Sequence, residues 1–166
     1  SADSGIVRIR PLVARRLAEP FEALRARAEA HAARTGAPAK VFLACVGDLA
    51  SHGARATWIA NFLAAGGIAV AQSAPLASAE EAAAAFKTSG AAIACICGAD
   101  ATYADIGGAV ASALKSAGAR HVYLAGRPKD LEAGLQAAGV EAFIYAGADA
   151  LETLGALHKA LGISKS

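Results

Sequence analysis

The sequence predicts an α/β sandwich: a doubly wound, five-stranded parallel sheet with helices on both faces and an N-terminal helical arm. Three observations carry this. From Lys40 onward one unit recurs, in which an apolar run of four to six residues leads through a turn into an alanine-rich helical segment. The runs are continuously apolar rather than alternating, as strands covered on both faces require. A glycine ends each of the first four helical segments. Five such units fill residues 40–166, which suits a flavodoxin-like sheet.

The elements follow in order. Residues 1–39 are expected to be a basic helical arm or linker, separate from an α/β domain over 40–166. Pro11, Pro20 and Pro38 punctuate this arm, which has no strand pattern. Phe21–Thr35 reads as an amphipathic helix with Phe21, Leu24 and Ala28 on one face, and Pro20 suits its first turn. Residues 1–40 carry 8 Lys/Arg against 4 Asp/Glu; that surplus is either a docking segment or a solvated helix face. The expected strands are Val41–Val46, Ile68–Ala71, Ala92–Cys97, His121–Ala125 and Ala142–Tyr145. The expected helices are Ala54–Ala65, Ala79–Ser89, Ala104–Ala117, Lys129–Ala138 and Ala150–Leu161. Gly66, Gly90, Gly118 and Gly139 stand where a helix commonly ends in a left-handed residue. Ser78 ahead of Glu80 and Glu81 marks a helix start, with a capping hydroxyl and acids near the positive end of the dipole.

Composition narrows the function classes. Of 166 residues, 48 are alanine and 17 glycine, so the 55% hydrophobic content reflects small-residue packing rather than long apolar spans. The longest apolar stretch, Ile59 to Gln72, is broken by Asn61 and a glycine pair, too short for a bilayer. No membrane partner is expected, and Ser1–Arg10 lacks the apolar core of a signal peptide. A net charge of +2 is too small to argue for nucleic acid. Cys45, Cys95 and Cys97 lie in apolar runs without C-x-x-C spacing, which fits a reducing cytoplasm better than a disulfide framework or zinc site. The absence of an initiating methionine leads us to expect a piece of a longer chain.

In an open parallel sheet, ligands sit beyond the carboxyl ends of the strands. The segments expected there are Gly47–Gly53, Gly98–Asp100, Gly126–Pro128 and Gly147–Asp149. Glycines at four strand ends imply either a groove where ligand approaches backbone or simply short turns. The first loop lacks the Lys-Ser/Thr ending of a P-loop and is not G-x-G-x-x-G. A phosphorelay receiver is disfavoured: Asp100 follows the third strand, but only Asp48 follows the first and no lysine follows the last.

The first loop resembles something more specific. Asp48-Leu49-Ala50-Ser51-His52-Gly53-Ala54-Arg55 is similar to the cobalamin-binding motif D-x-H-x-x-G, in which the histidine ligates cobalt and the aspartate holds its other ring nitrogen. Anchored on Asp48 and Gly53, the histidine position falls on Ala50, and His52 comes two residues late. Leu17–Arg25 resembles the segment joining the acyl-CoA-binding barrel of methylmalonyl-CoA mutase to its cobalamin domain. Gly53-Ala54-Arg55, Ala117-Gly118-Ala119 and Ala138-Gly139-Val140 follow that family too. Its Ser-x-Leu after the third strand would fall on Cys97-Gly98-Ala99 and is missing. Of its Gly-Gly after the fourth strand, only Gly126 survives, before Arg127.

These losses make the chain similar to the small, non-catalytic subunit of the heterodimeric bacterial methylmalonyl-CoA mutases. The resemblance implies a degenerate cobalamin-type domain with no catalytic residue and no metal ligand. No cofactor is expected on this domain, since Ala50 cannot coordinate cobalt. The implied partner is a large mutase subunit, which carries adenosylcobalamin and isomerises (R)-methylmalonyl-CoA to succinyl-CoA. Were cobalamin bound here, Asp48, His52, Gly53, Gly98, Gly126 and Gly147 would be the contact residues. Two alternatives stay open: a working cobalamin domain of an acyl-CoA mutase, and a regulatory or scaffold domain.

Bland readings stand beside these. Asp48 is either a relic of the ligand dyad that also caps a helix near Gly53, or a cap alone. His52 is either a displaced cobalt ligand or an exposed loop histidine. Cys95 and Cys97 share one face of a buried strand. Trp58 and Phe62, at i and i+4, are core or a subunit contact. Tyr103, His121 and His158 default to surface or edge positions.

Overall fold

Alternation along each strand decides which helices lie where. The computed structural model describes the backbone of residues 2–163, and the side chains of the first helix from Ala18 onward. Its strands are β1 Lys40–Cys45, β2 Ala69–Gln72, β3 Ile93–Cys97, β4 His121–Ala125 and β5 Ala142–Ile144, each within one residue of its expected place. All pair in parallel, in the order β2-β1-β3-β4-β5.

The helices are α1 Ala2–Thr35, α2 Leu49–Ala65, α3 Ala79–Ser89, α4 Asp100–Thr102, α5 Gly108–Ser116, α6 Glu132–Ala138 and α7 Ala150–Ala160. A π-helical turn, Tyr103–Gly107, joins α4 to α5, and a 3-10 turn, Lys129–Leu131, leads into α6. Successive strand residues point to opposite faces. Phe42, Ala44, Val46, Ile96 and Leu124 therefore pack under α3, α5 and α6 with Phe86, Leu114 and Leu135. Leu43, Cys45, Ile93, Cys95 and Cys97 face the other way, under Leu24 of α1, Ile59 and Leu63 of α2, and Leu154 and Leu157 of α7. All three cysteines are free and fully buried, as expected.

Helix starts differ from expectation. α1 begins at Ala2 rather than Phe21, so Pro20 lies in its interior and not in its first turn. The ring removes one backbone donor there, but leucine, alanine, arginine and glutamate on both sides are strong helix formers. α2 begins at Leu49, five residues early, because Asp48 supplies the cap. The segment expected at Ala104–Ala117 begins at Asp100, four residues early. Ser78 caps α3 by accepting from the Glu81 amide, while the Glu81 carboxylate accepts from the amide of Ala77, the residue before the cap, at 3.2 Å.

The arm's second half is built into the fold. Leu24 and Ala28 are 4% exposed, and the Arg25 guanidinium donates to Ala65 O at 3.3 Å. They meet the turn after α2, where the left-handed residue is Gly67 (φ +75°) and not Gly66 (φ −98°). A Cβ on Gly67 would stand 2.7 Å from the Ala28 Cβ and 3.2 Å from the Arg25 Cα, so only glycine admits this crossing. The same turn receives α7: buried His158 holds Gly66 O through Nε2 at 2.7 Å. His158 is thus a buried fastening, not a surface residue. Among the described residues, no helix is long and apolar enough to cross a membrane.

Candidate functional site

The strand order reverses between β1 and β3, and their carboxyl ends open a crevice at that switch point. β1 continues into Val46, whose amide donates to Cys97 O at 2.8 Å. Gly47 (φ +85°) then turns the chain into Asp48. The Asp48 carboxylate accepts from the Ser51 amide at 2.9 Å and the Ser51 hydroxyl at 2.7 Å. These bonds, the hydroxyl first, hold its pKa below the ordinary value. Ser51, His52 and Gly53 are consequently helical, not loop. His52 is 2% exposed, with its Nδ1 3.1 Å from Gly47 O. The expected exposed histidine is instead folded against the backbone it follows. Ala50 is exposed on the first turn, and Gly53 is half-buried against Leu49.

One turn further, Arg55 reaches across the strand ends. Its Nη1 donates to Gly98 O at 2.6 Å and to the Asp100 carboxylate at 3.1 Å. Its guanidinium carbon lies 5.8 Å from the Tyr103 ring centre. A Cβ on Gly126 (φ +113°) would come within 3.0 Å of that carbon, so the guanidinium covers Gly126 directly. Burial opposes the charge on Arg55, but Tyr103 and Asp100 outweigh it and raise its pKa.

Gly98 answers to a different neighbour. A Cβ there would stand 2.6 Å from Val46 Cγ2 and 2.9 Å from Val46 O, so this glycine serves the approach of β1 to β3. Beneath it lies Tyr103, 2% exposed rather than on the surface. Its hydroxyl accepts from the Gly98 amide at 2.8 Å and donates to Ala125 O at 2.6 Å. Burial pushes the phenol pKa up, keeping that proton in place.

Beyond β4 the exposed Arg127 donates from Nε to Glu132 at 2.9 Å and from Nη1 to the Tyr145 hydroxyl at 2.9 Å. Its guanidinium carbon lies 5.1 Å from the Tyr145 ring centre. Ser51, Arg55, Trp58, Gly98, Asp100, Gly126, Arg127 and Tyr145 enclose most of a cavity of about 580 Å³. Trp58 and Phe62 stack at 5.4 Å, both half-buried.

The structure therefore brings Gly98 and Gly126 together, and places the other expected contact residues elsewhere. Asp48 opens on the cleft beside Thr102 and Asp105. Gly147 lines a separate cleft of about 460 Å³ with Tyr123 and Glu152. Arg55, Tyr103, Arg127 and Tyr145 are what the sequence did not single out as site residues. Arg127 and Tyr145 stand within two residues of a strand end, Arg55 belongs to the family-like Gly53-Ala54-Arg55, and Tyr103 carries no sequence signal. Among the described residues, no three His, Cys, Asp or Glu side chains converge to hold a metal ion.

No protein-family model matches the chain. Curated relatives do. The chain is 43% identical over 146 residues, 88% of its length, to the methylmalonyl-CoA mutase small subunit of Streptomyces virginiae. It is 38% identical over 130 residues to that of Propionibacterium freudenreichii subsp. shermanii, 76% of this chain and 20% of the relative. With the Porphyromonas gingivalis subunit the figures are 32% over 155 residues, 93% and 24%. The chain spans about a quarter of the length of these relatives, 23% in the first case. A solved structure, the signal receiver domain of the response regulator NarL from Mycobacterium tuberculosis, aligns with TM-score 0.52 and 19% identity. It covers 75% of this chain and 98% of the receiver, and establishes the flavodoxin-like fold alone. By sequence, this chain is a homologue of a domain-sized part of the methylmalonyl-CoA mutase small subunits.

Proposed function

We propose that this chain is a cofactor-free domain of a methylmalonyl-CoA mutase small subunit, with a structural role in a heterodimer with the large subunit. In that assembly the large subunit's adenosylcobalamin supplies the radical chemistry that isomerises (R)-methylmalonyl-CoA to succinyl-CoA. This domain holds no group of that reaction.

The observation that carries the reading is Ala50, a methyl group at the position of the cobalt ligand. The Arg55 guanidinium lies over Gly126 and is fastened to Gly98 O, so Gly126 does not present bare backbone to the cavity. The rest of the first turn of α2 agrees. Asp48 is committed to capping Ser51, and the His52 ring is buried against Gly47 O. No imidazole on this turn projects outward with a carboxylate behind it, which is the arrangement a cobalt ligand needs. These residues do not fit cobalamin.

Titrating the protein with adenosylcobalamin or methylcobalamin tests this. We expect no change in the cofactor's visible spectrum and no retention in equilibrium dialysis. A saturable red shift overturns the reading, and its loss in His52→Ala would identify His52 as the ligand.

A further inference from the structure

We propose that the groove beyond β3, β4 and β5 binds a small organic anion: a carboxylate or phosphate carried on an aromatic or apolar body. The cavity, about 580 Å³, falls within the roughly 300–1,000 Å³ of small-molecule sites. It lies beyond the carboxyl ends of β3, β4 and β5, the edge of an open parallel sheet at which ligands bind.

Its polar groups select for negative charge. Arg55 and Arg127 both line it. Arg55 spends only Nη1 on Gly98 O and Asp100, and Arg127 spends Nε and Nη1 on Glu132 and Tyr145. Nε and Nη2 of Arg55 and Nη2 of Arg127 have no hydrogen-bond partner among the described residues. A guanidinium presents its donors as a planar fork that matches carboxylate and phosphate oxygens.

The resident carboxylates, Asp100 and Glu132, leave the groove without net charge, so an anion enters by exchange. Asp100 can be exchanged because its side chain is 60% exposed, and ion pairs that open to water are weakly held. Arg55 keeps its place through that exchange, because Gly98 O holds it at 2.6 Å independently of the carboxylate. The remaining wall takes the body of the ligand. Trp58 and Tyr145 offer aromatic surface and Ile144 an aliphatic one, and Arg127 is already aligned over the Tyr145 ring.

Trp58 is the chain's single tryptophan and lines the groove, so its emission reports on this cavity specifically. The full chain is titrated with adenosine monophosphate and with benzoate at constant ionic strength, and with adenosine and benzyl alcohol as neutral counterparts. We expect a saturable change in Trp58 emission with an anion in the low-millimolar range and none with its neutral counterpart. AMP alone marks a phosphate site, benzoate alone a carboxylate site. Arg127→Ala, at an exposed position, should keep the thermal transition and weaken binding by about tenfold, and Arg55→Gln should do likewise. No saturable change with either anion, an equal response to the neutral compounds, or undiminished binding in both variants overturns the proposal. Cobalamin is followed by its own visible absorbance, so this inference and the cofactor-free reading can fail separately.

Discussion

Tyr103 completes a ladder that the backbone alone leaves open. β3 and β4 pair from Ile93–His121 to Ile96–Leu124. Past that point the phenol links the Gly98 amide to Ala125 O. Tyr103→Phe keeps the ring and strands both backbone groups in the core. We expect a loss of about 1–3 kcal/mol, read as a lower urea midpoint with an unchanged slope. No pattern in the sequence marks this residue. It lies three residues into a helical segment, and its acceptor is 22 residues away.

Asp48 shows the opposite case, a residue legible in sequence whose role is local. Its carboxyl is held below the ordinary value of 3.8 by the Ser51 hydroxyl and amide. The charged cap therefore adds stability above that value and loses it as pH falls through the lowered native one. Asp48→Asn keeps an oxygen that caps without titrating. The stability difference between wild type and Asp48→Asn should be constant near neutrality and shrink in acid, measured by urea denaturation at each pH. A constant difference down to the acid limit would remove the cap as its cause.

At the scale of elements, the arm tests how far sequence punctuation can be trusted. Pro20 suggested a helix start at Phe21, yet α1 runs from Ala2. Proline weakens a helix but does not end one whose flanks favour it. The amphipathic face itself was legible, since Phe21, Leu24 and Ala28 all turn toward the domain. What they meet was not, because Gly67 lies far along the chain and only the crossing explains it. Leu24→Ala should cost about 2–5 kcal/mol and shift the single thermal transition of the domain. An unchanged transition would mean that the arm is a mere linker.

The early start of α2 has the same origin. A hydrophobic period locates the middle of a helix better than its first turn, which depends on whether a cap is used. Because Asp48 caps at once, Ala50 and His52 belong to the helix, and their directions follow from it. Ala50 is exposed and His52 buried, one turn of geometry deciding which residue could ever meet a ligand.

In the molecule as a whole, the five strands and their sequence order, the parallel sheet and the coverage of both faces were legible in the sequence, whereas the division of the expected Ala104–Ala117 helix into α4, a π turn and α5 was not. The legible features are set by local chemistry: continuous apolar runs, alanine-rich helices and glycine stops. The small-subunit resemblance was legible too, because it rests on residues in sequence. Tertiary structure alone decided what occupies the strand ends. Arg55 meets Gly98 across 43 residues, and Arg127 meets Tyr145 across 18. The physical reason is that in a parallel sheet neighbouring strand ends are joined only through space, each crossover carrying the chain away before returning it. A groove assembled there has no contiguous motif, and whether glycine faces a ligand, a strand or a guanidinium is settled only when the sheet closes.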